Sequence, residues 1–356
     1  MAQELYCDSA SEEGYAPVAA LGQEQAPGLG SRSLLAGGAG AGRLRWRATA
    51  AALAAALLGA AACAGLLGRG RSLPRSRQDA ALEMKAAVHD KGASALLAKN
   101  PEGAQPNLWC HSAGAPKLWK ANTDGKPYKA KILSYNLFWW NLYEDRGSNG
   151  NSAGWLIKGS MKDQPYDFMG FQECKNVWSV LAPVGLLKDY GVLQGAHDVC
   201  AAYRKTWKLL GHGVVEVSED LQHNYYGRRG ALWMRLEHGE TKQTVLFMNH
   251  HGPLPVGTGG KWGGWATAHN ILNLAQQQGK PGDAVILVGD FNANWASPTV
   301  KELQAHLSHV FTGTFFSGID NIFSNVKGNV VATENLGHGG SDHDALSVTL
   351  SVAGNR

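Results

Sequence analysis

Between residues 129 and 352 short apolar runs recur, and they stop on side chains able to hold a proton, a metal or a phosphate. Lys131-Ile-Leu-Ser-Tyr-Asn136 ends in an amide, and Asp167-Phe-Met-Gly-Phe-Gln-Glu173 in a carboxylate. Val245-Leu-Phe-Met-Asn249 leads into His250 and His251, and Ala284-Val-Ile-Leu-Val-Gly289 into Asp290 and Asn292. Asp320 opens Asn321-Ile-Phe, while Asp342 and His343 precede the last apolar stretch. Bounded apolar runs of this length read as buried strands. Further strands are expected at 199–203, 230–236, 321–324 and 345–352. Helices are expected at 176–187, at 266–278, and from the N-cap and first-turn pair Ser297-Pro298 through 307. Many strands with few helices predict an α/β (α+β) domain over 128–356, a two-sheet β-sandwich flanked by helices. Such a core aims its strand ends at a shared rim, where function tends to sit.

Carboxylates and amides suit a hard, oxygen-liking cation such as Mg²⁺ or Mn²⁺. Histidines beside it can donate to a phosphoryl group or take a proton from water. The set Ser134-Tyr-Asn136, Phe171-Gln-Glu173, Asn249-His-His251, Gly289-Asp-Phe-Asn-Ala293, Ile319-Asp320 and Ser341-Asp-His343 resembles the endonuclease/exonuclease/phosphatase superfamily, with its deoxyribonuclease-I-like fold. The motifs come in the family's order. The resemblance implies Glu173 as the principal metal ligand, with Asn136 and Asp342 completing the metal and phosphate shell. Asp290 and Asn292 would orient the attacking water and hold the scissile phosphate. His343 paired with Asp320 would be the acid/base histidine with its orienting carboxylate. His251 fits the family's Asn-x-His position; His250 lies on the opposite face of a strand, so one of the two should enter the site.

Taken singly, several of these residues have blander readings. Asn136 alone would be a strand-end cap, Asp320 a turn cap, and Cys174 a small packed apolar residue. The glycine-rich stretch from Gly252 to Gly264 superficially resembles a phosphate cradle but lacks a Gly-Lys-Ser/Thr ending. It is expected on the substrate side, with Lys261 and Trp262 as contacts. Tyr225-Tyr-Gly-Arg-Arg-Gly230 brings Arg229 to a strand start, where an arginine fork would suit phosphate oxygens. His197 or Asp198 are the candidates for a partner to His251. The Pro-x-Trp-x-Asp-Arg block of inositol polyphosphate 5-phosphatases is replaced by Ser341-Asp-His-Asp344. Helical elements that read damaged DNA in abasic-site endonucleases are not evident.

The front of the chain has a different composition. Residues 1–42 form a tail of Gly, Ala, Ser, Glu and Gln, expected to be disordered. Arg43, Arg45 and Arg47 then introduce residues 48–68, a 21-residue run without charge, closed by Arg69 and Arg71. At about 1.5 Å per residue such a helix can cross a bilayer core of about 30 Å. A signal-anchor helix at 43–71 is the favoured reading, with a cleaved targeting segment or a soluble Ala-rich helix as alternatives. Arginines flank both ends, so orientation stays open, and 72–127 reads as a stalk. The expected localisation is a single-pass membrane protein. The five cysteines show no metal-ligand spacing.

Formal charge is +4 overall, yet residues 128–356 carry 19 Lys and Arg against 19 Asp and Glu. A neutral domain argues against a basic protein that coats nucleic acid. The sequence therefore predicts a metal-dependent phosphoesterase, membrane-tethered through 48–68, acting on a nucleic acid, an inositol phosphate or a phospholipid head group. A nuclease of the same fold is the alternative, and a scaffold module without catalysis is the alternative of another class. No protein partner is implied.

Overall fold

The structure, a computed structural model, describes residues 114–222 and 226–353. The expected tail, the apolar run and the front of the stalk lie outside these residues. Among the described residues no helix is long and apolar enough to cross a membrane.

Two six-stranded sheets face each other. The first runs β11 (Val330–Asn335), β12 (Leu346–Ala353), β1 (Tyr128–Asn136), β2 (Phe168–Gln172), β4 (Cys200–Arg204), β3 (Tyr190–Gln194). The second runs β5 (Trp207–Glu219), β6 (Arg228–His238), β7 (Thr244–His251), β8 (Ala284–Asp290), β10 (Asp320–Ser324), β9 (Ser308–Thr312). Each sheet has one parallel pair at its centre, β1–β2 and β7–β8, and antiparallel pairs elsewhere. A parallel pair needs a crossover, and helices supply it. α1 (Ser152–Gly159) lies between β1 and β2, and α3 (Gly263–Gln278) between β7 and β8.

The central strands are apolar on both faces because both are covered. Ile132, Phe168, Phe247, Ile286 and Val288 point inward and form the core between the sheets. One residue along, Leu133, Met169 and Phe171 point outward onto α1 and α2 (Val177–Leu181). Leu246, Met248 and Leu287 likewise meet α3 and α4 (Pro298–His306). The caps follow the sequence: Asn176 accepts from the Trp178 and Ser179 amides, and Ser297 from that of Val300. Asn249 braces the two sheets, donating to the Phe171 and Cys200 carbonyls at 2.8 and 2.9 Å and accepting from Gln172 at 2.6 Å.

Four strands were not expected, and their sequences show why. β5 carries Gly211 and Gly213, which break its apolar pattern; a Cβ at Gly213 would stand 2.9 Å from the Trp233 ring across the ladder. β11 is exposed along its whole length, so it has no buried face to reveal it. β3 and β9 are short and only partly buried. α2 stops at Leu181 rather than 187, before a turn through Pro183 and Gly185, whose φ is +73°. The domain also starts earlier than 128. Trp119 Nε1 donates to the Asp283 carbonyl and the Asn122 amide to that of Gly282, both at 2.8 Å, and Leu118 and Trp119 pack on the α3 side. Cys174 and Cys200 are buried free thiols, the latter donating to the Cys174 carbonyl.

Candidate active site

Strand parity and register bring the polar ends together. Asn136, His251, Asp290 and Asp320 all fall on inward positions of their strands, and Asp290 is paired in register with both His251 and Asp320. Two residues just beyond strand ends, Glu173 and Asn292, adopt left-handed φ of +47° and +46°. Such backbone costs on the order of 1–3 kcal/mol in a non-glycine residue and concentrates at functional positions. Ser341 ties the last motif to the first: its Oγ donates to the Asn136 carbonyl at 2.7 Å and accepts from the His343 amide at 3.1 Å.

Asp290 sits at the middle. Its Oδ1 accepts from the Asn292 amide at 2.8 Å, and its Oδ2 from Asn136 Nδ2 at 3.0 Å. Nε2 of His251 and Nε2 of His343 lie 3.6 and 3.7 Å from the same Oδ2. Burial raises the Asp290 carboxyl to about 6 against the pull of His343. His343 Nδ1 is 2.9 Å from Asp320 Oδ2. Burial works against the charged imidazole, but the Asp320 hydrogen bond and the nearby carboxylates win, lifting it to about 9. His251 goes the other way: burial and then Arg229 hold it well below the ordinary range. The two histidines are therefore poised oppositely, one cationic and one neutral, at neutral pH.

A cavity of about 530 Å³ opens over this group. Glu173, Asp290, Asn292, Asp342, His251, His343 and Arg229 line its polar floor. Burial raises Glu173, Asn136 donates to it at 3.3 Å, and Asp290 and Asp342 act on it as like charges. Oδ1 of Asp342 is buried with no hydrogen-bond partner. Converging carboxylates, one with a buried oxygen that accepts no hydrogen bond and has only His343 Nε2 at 4.0 Å, are what a hard divalent cation neutralises, so the residues fit one. The Asn136 amide turns its NH₂ toward Glu173 and Asp290, so it steadies these carboxylates rather than adding an oxygen beside them. Asp290, Asp320 and His343 also offer ligand atoms within 4.8 Å of one another, a buried group that could bind a metal. There, however, His343 Nδ1 is already bonded to Asp320.

The structure gathers Asn136, Glu173, His251, Asp290, Asn292, Asp320, Asp342 and His343 into one site, and leaves out Lys261 and Trp262. The loop at 252–264 folds back on β5, with the Lys261 amide donating to the Glu219 carbonyl at 2.9 Å and Nζ 3.6 Å from that carboxylate. Leu254 and Val256 of this loop face the cavity instead. His250 points to the opposite face, its Nδ1 3.0 Å from the Gly230 carbonyl. His197 pairs with Glu216 at 3.4 Å, while Asp198 lines the cavity. Sequence reasoning missed the cavity's walls, Trp139, Trp140, Tyr226, Phe316 and Ile319. The doublets Trp139-Trp140 and Phe315-Phe316, a few residues after Asn136 and before Asp320, were the available signal. Nothing in the sequence flagged Asp220, which holds Arg229.

The Endonuclease/Exonuclease/phosphatase family profile matches residues 138–343, more than half of the chain. The chain belongs to this family. Among solved structures, an endonuclease/exonuclease/phosphatase from Bacteroides vulgatus is 16% identical, with a TM-score of 0.50, over 63% of this chain and 99% of that one. A family protein from Bacteroides thetaiotaomicron is 18% identical, TM-score 0.49, over 63% and 98%. The human Nocturnin catalytic domain with bound sulfate is 17% identical, TM-score 0.49, over 64% and 96%. At such identities the likeness is one of fold. No curated protein matches the chain. Members of the endonuclease/exonuclease/phosphatase family are phosphoesterases, typically dependent on a divalent metal.

Proposed function

We propose that the protein is a divalent-metal-dependent phosphoester hydrolase. The observation that carries this reading is the His343–Asp320 pair, 2.9 Å apart, with Nε2 of His343 turned to Asp290 on the cavity floor beside Glu173. Glu173 and Asp342 would hold the cation, Mg²⁺ or Mn²⁺, with Asn136 fixing the Glu173 carboxylate. When bound, the ion supplies positive charge against a phosphoryl oxygen. Asp290, raised by burial, accepts a hydrogen bond or proton from the attacking water, and the Asn292 amide holds its other oxygen. His343, kept cationic by Asp320, gives its proton to the departing oxygen.

A neutral domain and an apolar cavity wall favour a small or lipid phosphoester over a long polyanion, which would call for a track of Lys and Arg. Residues 48–68 would tether the enzyme to a membrane. The purified protein should be assayed with plasmid DNA, RNA, inositol phosphates, sphingomyelin and bis(4-nitrophenyl) phosphate, with Mg²⁺ or with EDTA. Glu173→Gln should raise the metal requirement and depress turnover by at least ~10²-fold. Activity that survives both chelation and this substitution would refute the metal-hydrolase reading. The tether predicts that full-length protein resists carbonate extraction from membranes; complete recovery, uncleaved, in the soluble fraction would refute it.

A further inference from the structure

Arg229, expected to meet phosphate, has most of its fork engaged elsewhere. Nε donates to Asp220 Oδ1 at 2.9 Å and Nη2 to Oδ2 at 3.1 Å, with both residues almost fully buried. Asp220 in turn accepts from the Leu254 amide at 2.7 Å and the Gly227 amide at 2.9 Å, which pins the pair to loops on either side. The Tyr226 ring stacks 4.9 Å from the guanidinium carbon. The remaining arm, Nη1, lies 3.4 Å from Nδ1 of His251.

A guanidinium carries donors only, so the ring nitrogen facing it must accept. A neutral imidazole has one donor and one acceptor nitrogen, which leaves the proton on Nε2, the atom 3.6 Å from Asp290 Oδ2 in a ring that lines the cavity. We propose that Arg229, anchored by Asp220, is a positioning residue that fixes His251 in its Nε2–H tautomer and makes it a hydrogen-bond donor to a phosphoryl oxygen. His343 has the opposite partner, since its Nδ1 faces the Asp320 carboxylate. The two histidines therefore divide the work: His343 moves the proton, and His251 holds the phosphate without exchanging one. The donor role rests on the hydrolase reading; the tautomer does not.

The test uses full-length protein labelled with ¹⁵N in its histidines, the His251 signal being identified by its loss in His251→Gln. The wild-type ring should be neutral with its proton on Nε2. Arg229→Lys keeps a cation opposite Asp220 but has no third arm for Nδ1, and the His251 signal should move to a mixture of tautomers. Arg229→Gln combined with Asp220→Asn, which leaves no uncompensated charge, should do the same. In hydrolysis of bis(4-nitrophenyl) phosphate, Arg229→Lys should lower kcat at least ~10-fold with KM within about twofold. A wild-type His251 protonated on Nδ1, or a tautomer unchanged in folded variants, would overturn the proposal, as would a loss confined to KM. If neither variant folds, the wild-type spectrum decides. Wild-type protein that hydrolyses nothing refutes the hydrolase reading and leaves the tautomer to the spectrum.

Discussion

At the scale of single residues, the strongest expectation concerns two side chains 23 positions apart that meet at 2.9 Å. Asp320→Asn should keep the shape while losing the charge that holds His343 cationic. His343→Ala should cost at least ~10²-fold in turnover, as for a typical general catalyst. If the two act as a unit, the double variant should be little slower than His343→Ala alone, and multiplicative losses would show that Asp320 works independently. His250 offers a different measurement because it takes no part in the site. Burial holds it at about 4, below its ordinary 6.5. Below pH 6.5 the unfolded chain binds a proton that the folded protein refuses, so stability is lost as pH falls from 6.5 toward 4. The whole shift is worth about 3 kcal/mol at most. His250→Asn keeps an N–H near the Gly230 carbonyl and does not titrate. Urea unfolding at a series of pH values should show the variant losing less stability across that window. Parallel curves would mean that His250 is already charged in the fold.

At the scale of elements, the two central parallel pairs were legible and the edges were not. β1, β2, β7 and β8 are buried on both faces, and burial writes itself into sequence as unbroken apolar runs. β5 and β11 obey no such pattern, one because Trp233 fills the space over its glycines, the other because it faces solvent. The site divides the same way. Residues on inward strand ends could be read from parity, whereas Lys261 could not, since its position depends on a backbone bond to Glu219. Close approach of the sheets gives a prediction at this scale. A Cβ at Gly170 on β2 would stand 2.6 Å from Val288 Cγ2 and 3.1 Å from the Asn249 side chain. Neither neighbour has room to yield, because Asn249 is bound to both sheets. Gly170→Ala should therefore cost about 1–3 kcal/mol, read as a lower urea midpoint with an unchanged slope. An unchanged midpoint would show that the sheets separate freely there.

At the scale of the whole domain, the segment before β1 carries more than its composition suggests. Trp119 covers apolar surface on the α3 side and caps the Asp283 carbonyl, while Asn325 Nδ2 donates to the Trp119 carbonyl at 3.2 Å. Trp119→Ala should destabilise by the low end of the roughly 3–5 kcal/mol seen for such truncations. A chain begun at residue 128 should melt lower than one begun at 114, and equal melting temperatures would show the segment to be dispensable. Asp283 stands just before β8 and Asp290 closes it. Seven residues of strand at about 3.3 Å each put more than 20 Å between the two. The chain thus enters the sandwich at its base while the cavity opens at the top. The grip of Trp119 and Asn122 is thus felt at the end of β8 remote from Asp290, so loosening it should reach the fold before it reaches the cavity.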